Sequence, residues 1–169
     1  MIFSGTLSKD LKPNSQGFVR SGFCGCLTTV AKSIPSGYKA LRLRVKTDGR
    51  TYRLNVHPNS WNPNDMYTGF ISAPEDVWAT VEIPLEYFLE TSEGKIKPIR
   101  VKPLKSEAIE KIGITLADDV PGPFELLVSR IYATSDVASK HLELQEKMTE
   151  VKTEAKVEGV PRKDDSFAF

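Results

Sequence analysis

Alternation of apolar and polar residues dominates residues 1–135 of the chain. In several short segments every second side chain is apolar, and clusters of Gly, Pro, Asn, Asp and Ser separate these segments. Successive side chains of a strand point to opposite faces, so this pattern predicts strands with one buried face. The predicted strands lie within residues 2–7, 17–29, 42–56, 66–72, 76–84, 108–118 and 122–136. With little helix before Asp136, residues 1–135 are predicted to form an all-β sandwich of two sheets.

Residues 42–56, RLRVKTDGRTYRLNV, have the pattern of a β-hairpin with Asp48 and Gly49 in its turn. An Asp-Gly pair between alternating apolar residues is a strong signal for a two-residue turn. The predicted register gives the inner face three apolar pairs: Val45 with Tyr52, Leu43 with Leu54, and Leu41 with Val56. On the outer face it places Arg44 directly across from Arg53, where like charges destabilise the ladder.

This hairpin also predicts a basic outer surface, formed by Arg42, Arg44, Lys46 and Arg53. Three interpretations account for it: Glu82 neutralises the cations within the molecule, water solvates the long side chains, or an acidic partner covers the sheet. The four basic residues are therefore candidates for partner binding. Nucleic acid is disfavoured because the outer positions of the hairpin carry no interleaved aromatic side chains.

Residues 136–158 differ from the preceding strands, because good helix formers dominate and charged residues are frequent. Their apolar residues are spaced by four, three and four positions, as on one side of a helix. These residues are Leu144, Met148, Val151 and Ala155. The apolar stripe is thin, so the segment is predicted to form either a charged amphipathic helix or a frayed tail. Residues 159–169 are predicted to be a disordered C-terminus.

The composition of the 169 residues fits an ordered domain with a solvated segment, since 40% are hydrophobic and 27% are charged. The formal net charge is +1, so no overall field attracts nucleic acid or an anionic membrane. The longest apolar run is too short to span a bilayer. Cys24 and Cys26 are too few for a disulfide framework, which favours a reducing compartment.

Sequence signatures of catalysis are not found in the chain. There is no Gly-rich phosphate loop, no nucleophile elbow and no metalloprotease helix. His57 and His141 lie far apart, and His57 has no evident nucleophile or carboxylate partner. Cys24 and Cys26 provide only two soft ligands, whereas a structural zinc site takes four. We therefore expect no enzyme activity, no cofactor and no metal site.

Three aromatic residues, Trp61, Tyr67 and Phe70, lie in and after the loop that follows residues 42–56. Exposed aromatic rings on a β-sandwich can stack on sugar rings, so a carbohydrate-binding module is the alternative function. The same side chains can also close one end of the sandwich by packing into it, because Trp and Tyr bury well with a polar group left over. Packing is the simpler interpretation.

Four motifs, taken in their order along the chain, resemble one known family. They are FSGTLS, DGRTYRLNV, VWATVEIPLEYF and IEKIGITLADDVPGPFELLVSRI. Together they are similar to the complex I intermediate-associated protein 30 family over residues 2–132. The matching motif positions are Asp48, Gly49, Arg50, Tyr52, Trp78, Pro84, Gly113, Gly122, Pro123 and Phe124. Most of these residues have structural explanations, such as a turn glycine, a strand-ending proline or a core aromatic.

The resemblance implies a galactose-binding-like jelly roll for the fold and a non-enzymatic chaperone for the function. Such a protein would hold membrane-arm intermediates of respiratory complex I together with other assembly proteins. The implied partners are therefore complex I subunits or assembly factors, with membrane association only through them. The implied compartment is the mitochondrion. Residues 1–17 have no presequence pattern, so the cytoplasm is the alternative.

Overall fold

The computed structural model describes residues 1–8, 22–59, 65–92, 95–97 and 103–136. The strands within these ranges are short and closely spaced, as the alternation predicts. They are β1 (Ile2–Leu7), β2 (Cys24–Thr29), β3 (Ala40–Thr47), β4 (Tyr52–Pro58), β5 (Asp65–Ile71), β6 (Ala79–Pro84), β7 (Leu89–Ser92), β8 (Lys95–Ile96), β9 (Ile109–Leu116) and β10 (Gly122–Thr134). Two short 3₁₀ turns, Leu85–Tyr87 and Ser106–Ala108, follow β6 and precede β9.

Three predicted features fall outside the described residues. They are residues 17–21 of the strand predicted at 17–29, residues 137–158 of the charged segment, and the C-terminus 159–169. The helical or frayed state of the charged segment and the disorder of the C-terminus stay predictions.

The described strands form two antiparallel sheets. One sheet has four strands in the order β1-β10-β3-β6, and the other has six in the order β2-β9-β4-β5-β7-β8. Every pairing within the two sheets is antiparallel. One hydrophobic core uses side chains from both sheets, as in a β-sandwich. The predicted all-β sandwich of two sheets is confirmed.

The core is built from the apolar half of the alternation. On β3 and β4 the buried residues are Leu41, Leu43, Val45, Tyr52, Leu54 and Val56. The prediction that alternate residues of this segment face the core is therefore confirmed. Phe3, Tyr52 and Phe124 pack ring against ring, with centroids 5.2 to 6.5 Å apart, which joins β1, β4 and β10 across the core.

The hairpin predicted for residues 42–56 is wrong, because β3 and β4 belong to different sheets. β3 pairs with β10 and β6, whereas β4 pairs with β9 and β5. Arg44 consequently lies opposite Thr80 and Arg130, not opposite Arg53. Both arrangements bury the same alternate residues, since two facing sheets share one core just as two strands of a hairpin share one face.

Asp48 fixes the connection between β3 and β4 as a crossing from one sheet to the other. Its carboxylate accepts hydrogen bonds from the Arg50 N–H (3.1 Å), the Tyr52 hydroxyl (2.9 Å) and the Glu125 N–H (2.9 Å). The bond from Glu125 ties the connection to β10. Gly49 has a φ of 82°, a left-handed conformation that glycine adopts without steric cost.

Arg50 fastens the same connection to the loop between β9 and β10. Its guanidinium pairs with Asp118 at 2.9 and 3.1 Å and donates to the carbonyls of Val120 and Pro123. Burial alone would raise the pKa of Asp118, but the Val120 N–H and the guanidinium outweigh it and hold this pKa below its ordinary value of 3.8. These motif residues are therefore structural.

Candidate functional site

The outer surface of the four-stranded sheet carries a cluster of cations that we call the basic face: Arg42, Arg44, Lys46 and Arg130. The first three alternate with buried residues along β3, so they project away from the core. Arg130 lies on β10 directly opposite Arg44. Two opposed arginines therefore exist in this protein, although they are not the pair that the hairpin predicted.

Two cations of the basic face have acidic partners, one on β6 and one in the segment that precedes it. Arg42 forms an ion pair with Glu82 on β6, and this hydrogen bond is the largest cause of its raised pKa. The interpretation that Glu82 neutralises part of this surface is confirmed for Arg42. Lys46 forms an ion pair with Asp76, with 3.1 Å between Nζ and Oδ1.

The other two cations, Arg44 and Arg130, form no ion pair among the residues that the structure describes. Arg44 donates to the Thr80 hydroxyl at 3.4 Å. The guanidinium of Arg130 lies over the Tyr132 ring, 5.4 Å from its centroid, which holds the side chain against the sheet. The sheet thus presents two positioned guanidinium groups on neighbouring strands that form no ion pair with a carboxylate in the described part of the chain.

Arg53, the fourth predicted binding residue, lies on the opposite side of the sandwich. It projects from β4 on the outer surface of the six-stranded sheet and donates to the Ala117 carbonyl at 3.2 Å. There it lines a groove of about 580 Å³. The predicted set of four cations is therefore divided between two surfaces.

The aromatic residues of the carbohydrate-binding alternative do not share one surface. Tyr67 is buried, with 8% of its surface exposed, and Phe70 is 49% exposed. Both lie on β5, three positions apart, so they face opposite sides of the six-stranded sheet. Trp61 lies outside the described residues. Phe70 lines the same groove as Arg53.

The residues that were considered for catalysis and that the structure describes lie on strands. His57 lies on β4, and burial, followed by the charge of Lys111, lowers its pKa. Cys24 and Cys26 are free thiols on β2. Within the described ranges, no three His, Cys, Asp or Glu residues are grouped so that they could hold a metal ion.

No helix in the described part of the chain combines the length and the hydropathy that crossing a membrane requires.

Comparison with solved structures defines the class of fold. The family 11 carbohydrate-binding module of a cellulosomal cellulase from Clostridium thermocellum matches with a TM-score of 0.55 at 18% sequence identity, covering 80% of this chain and 87% of that chain. A solution structure of the module CtCBM11 matches with a TM-score of 0.52 at 16% identity, covering 80% and 89%. The protein therefore has the β-sandwich fold of these carbohydrate-binding modules.

Comparison of sequences defines the family within this class. The model of the family "Complex I intermediate-associated protein 30" matches residues 1–128, and the chain belongs to this family. The mitochondrial complex I intermediate-associated protein 30 of Neurospora crassa is 33% identical over 144 residues, covering 79% of this chain and 51% of the relative. The protein of the same name from Mus musculus is 30% identical over 149 residues, covering 81% and 45%. The chain spans about half the length of these curated relatives.

Proposed function

We propose that this protein is a non-enzymatic assembly factor for respiratory complex I that acts in mitochondria by binding a partner protein. Membership of the complex I intermediate-associated protein 30 family supports the role, and the names of the two relatives support the compartment. The partner is a complex I subunit or another assembly factor. No catalytic group, cofactor or metal takes part.

The basic face is the proposed binding surface, and the observation that carries this proposal is the Arg44–Arg130 pair. Directly opposed like charges cost roughly 0.2–1 kcal/mol in a ladder. Ion pairs with Glu82 and Asp76 neutralise the charges of Arg42 and Lys46. Arg44 and Arg130, in contrast, face each other without an ion pair among the described residues. A carboxylate from outside would pair with both guanidinium groups and remove their repulsion.

The chemistry of the surface also indicates what kind of partner it binds. Trp78 lies directly before β6, two positions from Thr80, and is 42% exposed; Tyr132 is 37% exposed beside Arg130. Arginine and aromatic side chains are enriched at the centres of protein–protein interfaces. We therefore expect an acidic protein segment on this surface, with Arg42 and Lys46 as supporting contacts.

Reversal of the two unpaired charges tests the proposal. The double variant Arg44→Glu/Arg130→Glu, used as bait in mitochondrial extract, should recover far less of the complex I proteins than the unaltered chain, because its carboxylates repel an acidic partner. Immunoblots for complex I subunits and assembly factors measure the recovery. Its thermal unfolding should stay close to that of the unaltered chain, since both residues are on the outer surface.

The matched control is Lys32→Glu/Lys105→Glu, which makes the same change in net charge at two exposed positions away from the four-stranded sheet. This variant should recover complex I proteins like the unaltered chain. Recovery of no complex I protein by the unaltered chain, or equal recovery by both double variants, would contradict the proposal.

A further inference from the structure

The groove on the six-stranded sheet has a polar floor that crosses four strands. The floor residues are Thr115 on β9, Asn55 on β4, Thr68 on β5 and Thr91 on β7. The side-chain amide nitrogen of Asn55, Nδ2, donates to the Thr115 hydroxyl at 2.8 Å. The Thr68 hydroxyl donates to the side-chain amide oxygen of Asn55, Oδ1, at 3.1 Å. The hydroxyl oxygens of Thr68 and Thr91 are 3.4 Å apart. The floor is therefore fixed by its own hydrogen bonds.

This floor retains hydrogen-bonding capacity after its internal bonds are formed. Asn55 has a second amide hydrogen, and Thr115, which accepts from Asn55, still has its own hydroxyl hydrogen. Both groups can donate to a carbonyl or carboxylate oxygen above them. The two donor atoms are neighbours, 2.8 Å apart, so the floor suits a ligand that presents its acceptor oxygens close together.

The walls of the groove are apolar and open to solvent. Phe23 is 56% exposed, Phe70 49%, Leu89 39% and Ile96 61%, and all four line the groove. Exposed apolar side chains grouped around one concavity, rather than scattered singly, mark a binding surface. Two of the four are aromatic and two are aliphatic, so the walls offer apolar contact to the side chains of a ligand.

Among the lining residues that the structure describes, one is charged, and its charge is the guanidinium of Arg53. The Ala117 carbonyl accepts one hydrogen bond from it at 3.2 Å, which fixes its position. Since no carboxylate is among the described lining residues, this guanidinium complements a ligand with one negative charge and repels a cationic ligand.

From these observations we propose that the groove binds an extended, apolar peptide segment of a partner protein that carries one carboxylate. The apolar side chains pack on the walls, backbone carbonyls accept hydrogen bonds from Asn55 and Thr115, and the carboxylate pairs with Arg53. This inference rests on the proposed function in taking the partner to be a protein. It adds a second binding site on the side of the sandwich opposite the basic face.

Fluorescence anisotropy of the full chain with short labelled peptides tests the site. The first probe is Leu-Thr-Leu-Thr-Leu-Asp with an amidated C-terminus, so that it carries one carboxylate, and the second replaces its Asp with Lys. The Asp peptide should bind about tenfold more tightly than the Lys peptide, the difference expected for one complemented charge. Arg53→Glu should reverse this order. Phe70→Ser should weaken both peptides, whereas Val120→Ser, at an apolar residue that is 54% exposed outside the groove, should change neither.

Two outcomes would overturn the inference. One is that neither peptide binds, or that Arg53→Glu leaves their order unchanged. The other is that cellotetraose, added as a neutral competitor, displaces the peptide or binds in its place, which would make the groove a glycan site.

The failure of this inference can be told apart from the failure of the proposed function. Arg44→Glu/Arg130→Glu should bind the Asp peptide like the unaltered chain, because the two surfaces lie on opposite sides. Recovery of complex I proteins without any peptide binding would overturn only the groove. Peptide binding without recovery of complex I proteins would contradict the proposed function and leave the groove supported.

Discussion

Individual carboxylates decide where the connections of this sandwich lie. Asp48 accepts from Glu125, 77 positions further along the chain, and Asp118 pairs with Arg50, 68 positions before it. The DGR motif was evident in the sequence, but its residues were predicted to close a hairpin. Alternation indicates which side chains are buried; it does not indicate which distant backbone will bind the carboxylate of a turn residue.

The Asp118–Arg50 pair predicts how stability depends on acid. Because the pKa of Asp118 is held below its ordinary value, the folded state binds a proton less readily than the unfolded chain. The contribution of the pair is full above the unfolded pKa of about 3.9 and is lost as the pH falls through the lower folded pKa. Asp118→Asn should lower the free energy of unfolding at neutral pH.

The same variant should lose less stability than the unaltered chain on acidification below about pH 4, since the titrating pair is gone. Urea unfolding at a series of pH values measures both effects. Glu110→Gln, at an exposed carboxylate on β9, is the control and should keep the slope of the unaltered chain. An equally steep loss of stability in Asp118→Asn would show that the pair does not contribute as described.

At the scale of single strands, β10 shows why the outward position of Arg130 could not be predicted from the sequence. Phe124, Leu126 and Val128 face the core, but the register shifts between Val128 and Arg130. Beyond this irregularity the odd-numbered residues pack against the core. A bulge adds one residue to a strand, so strict alternation would place Arg130 inside the sandwich. Three of the four residues of the basic face could therefore be predicted, through β3, and Arg130 could not.

The short strands β7 and β8 were missed for a different reason. Leu89–Ser92 and Lys95–Ile96 contain four and two residues, too few for a period of two to stand out. No strand was predicted between residues 84 and 108 as a result. Two walls of the groove, Leu89 and Ile96, lie on these strands, so the groove was not predictable from the sequence either.

Cross-linking of paired cysteines tests the placement of β3. With Cys24 and Cys26 replaced by Ser, the variant Arg44→Cys/Arg130→Cys should form a disulfide under mild oxidation. Directly opposed residues of antiparallel strands have Cα atoms about 4.5–5.5 Å apart, within the range of a disulfide. Mass spectrometry of the oxidised chain detects the cross-link.

The matched variant is Arg44→Cys/Arg53→Cys, the pair that a hairpin would bring together. It should stay reduced, since β3 and β4 lie in different sheets. A disulfide in this variant, with none in Arg44→Cys/Arg130→Cys, would restore the hairpin and contradict the sheet order.

At the scale of the whole molecule, the sandwich presents two chemically different outer surfaces. The four-stranded sheet has the basic face, and the six-stranded sheet has a groove with apolar walls, a polar floor and Arg53 as the one cation among its described lining residues. The fold could be predicted because alternation gives each strand one buried face, and with little helix to cover it a second sheet is needed. The surfaces could be predicted only in part, because each combines residues of strands that are adjacent only in space, such as β3 with β10.

The central proposal about this protein is that its basic face binds a complex I subunit or assembly factor. Photo-cross-linking tests this proposal most directly. A photoreactive benzoylphenylalanine in place of Thr80, the exposed neighbour of Arg44, would be activated in intact mitochondria, with Lys105 as the control position. The account predicts an adduct with a complex I subunit or assembly factor from position 80 and none from position 105. Equal adducts from both positions, or adducts containing no complex I protein, would contradict it.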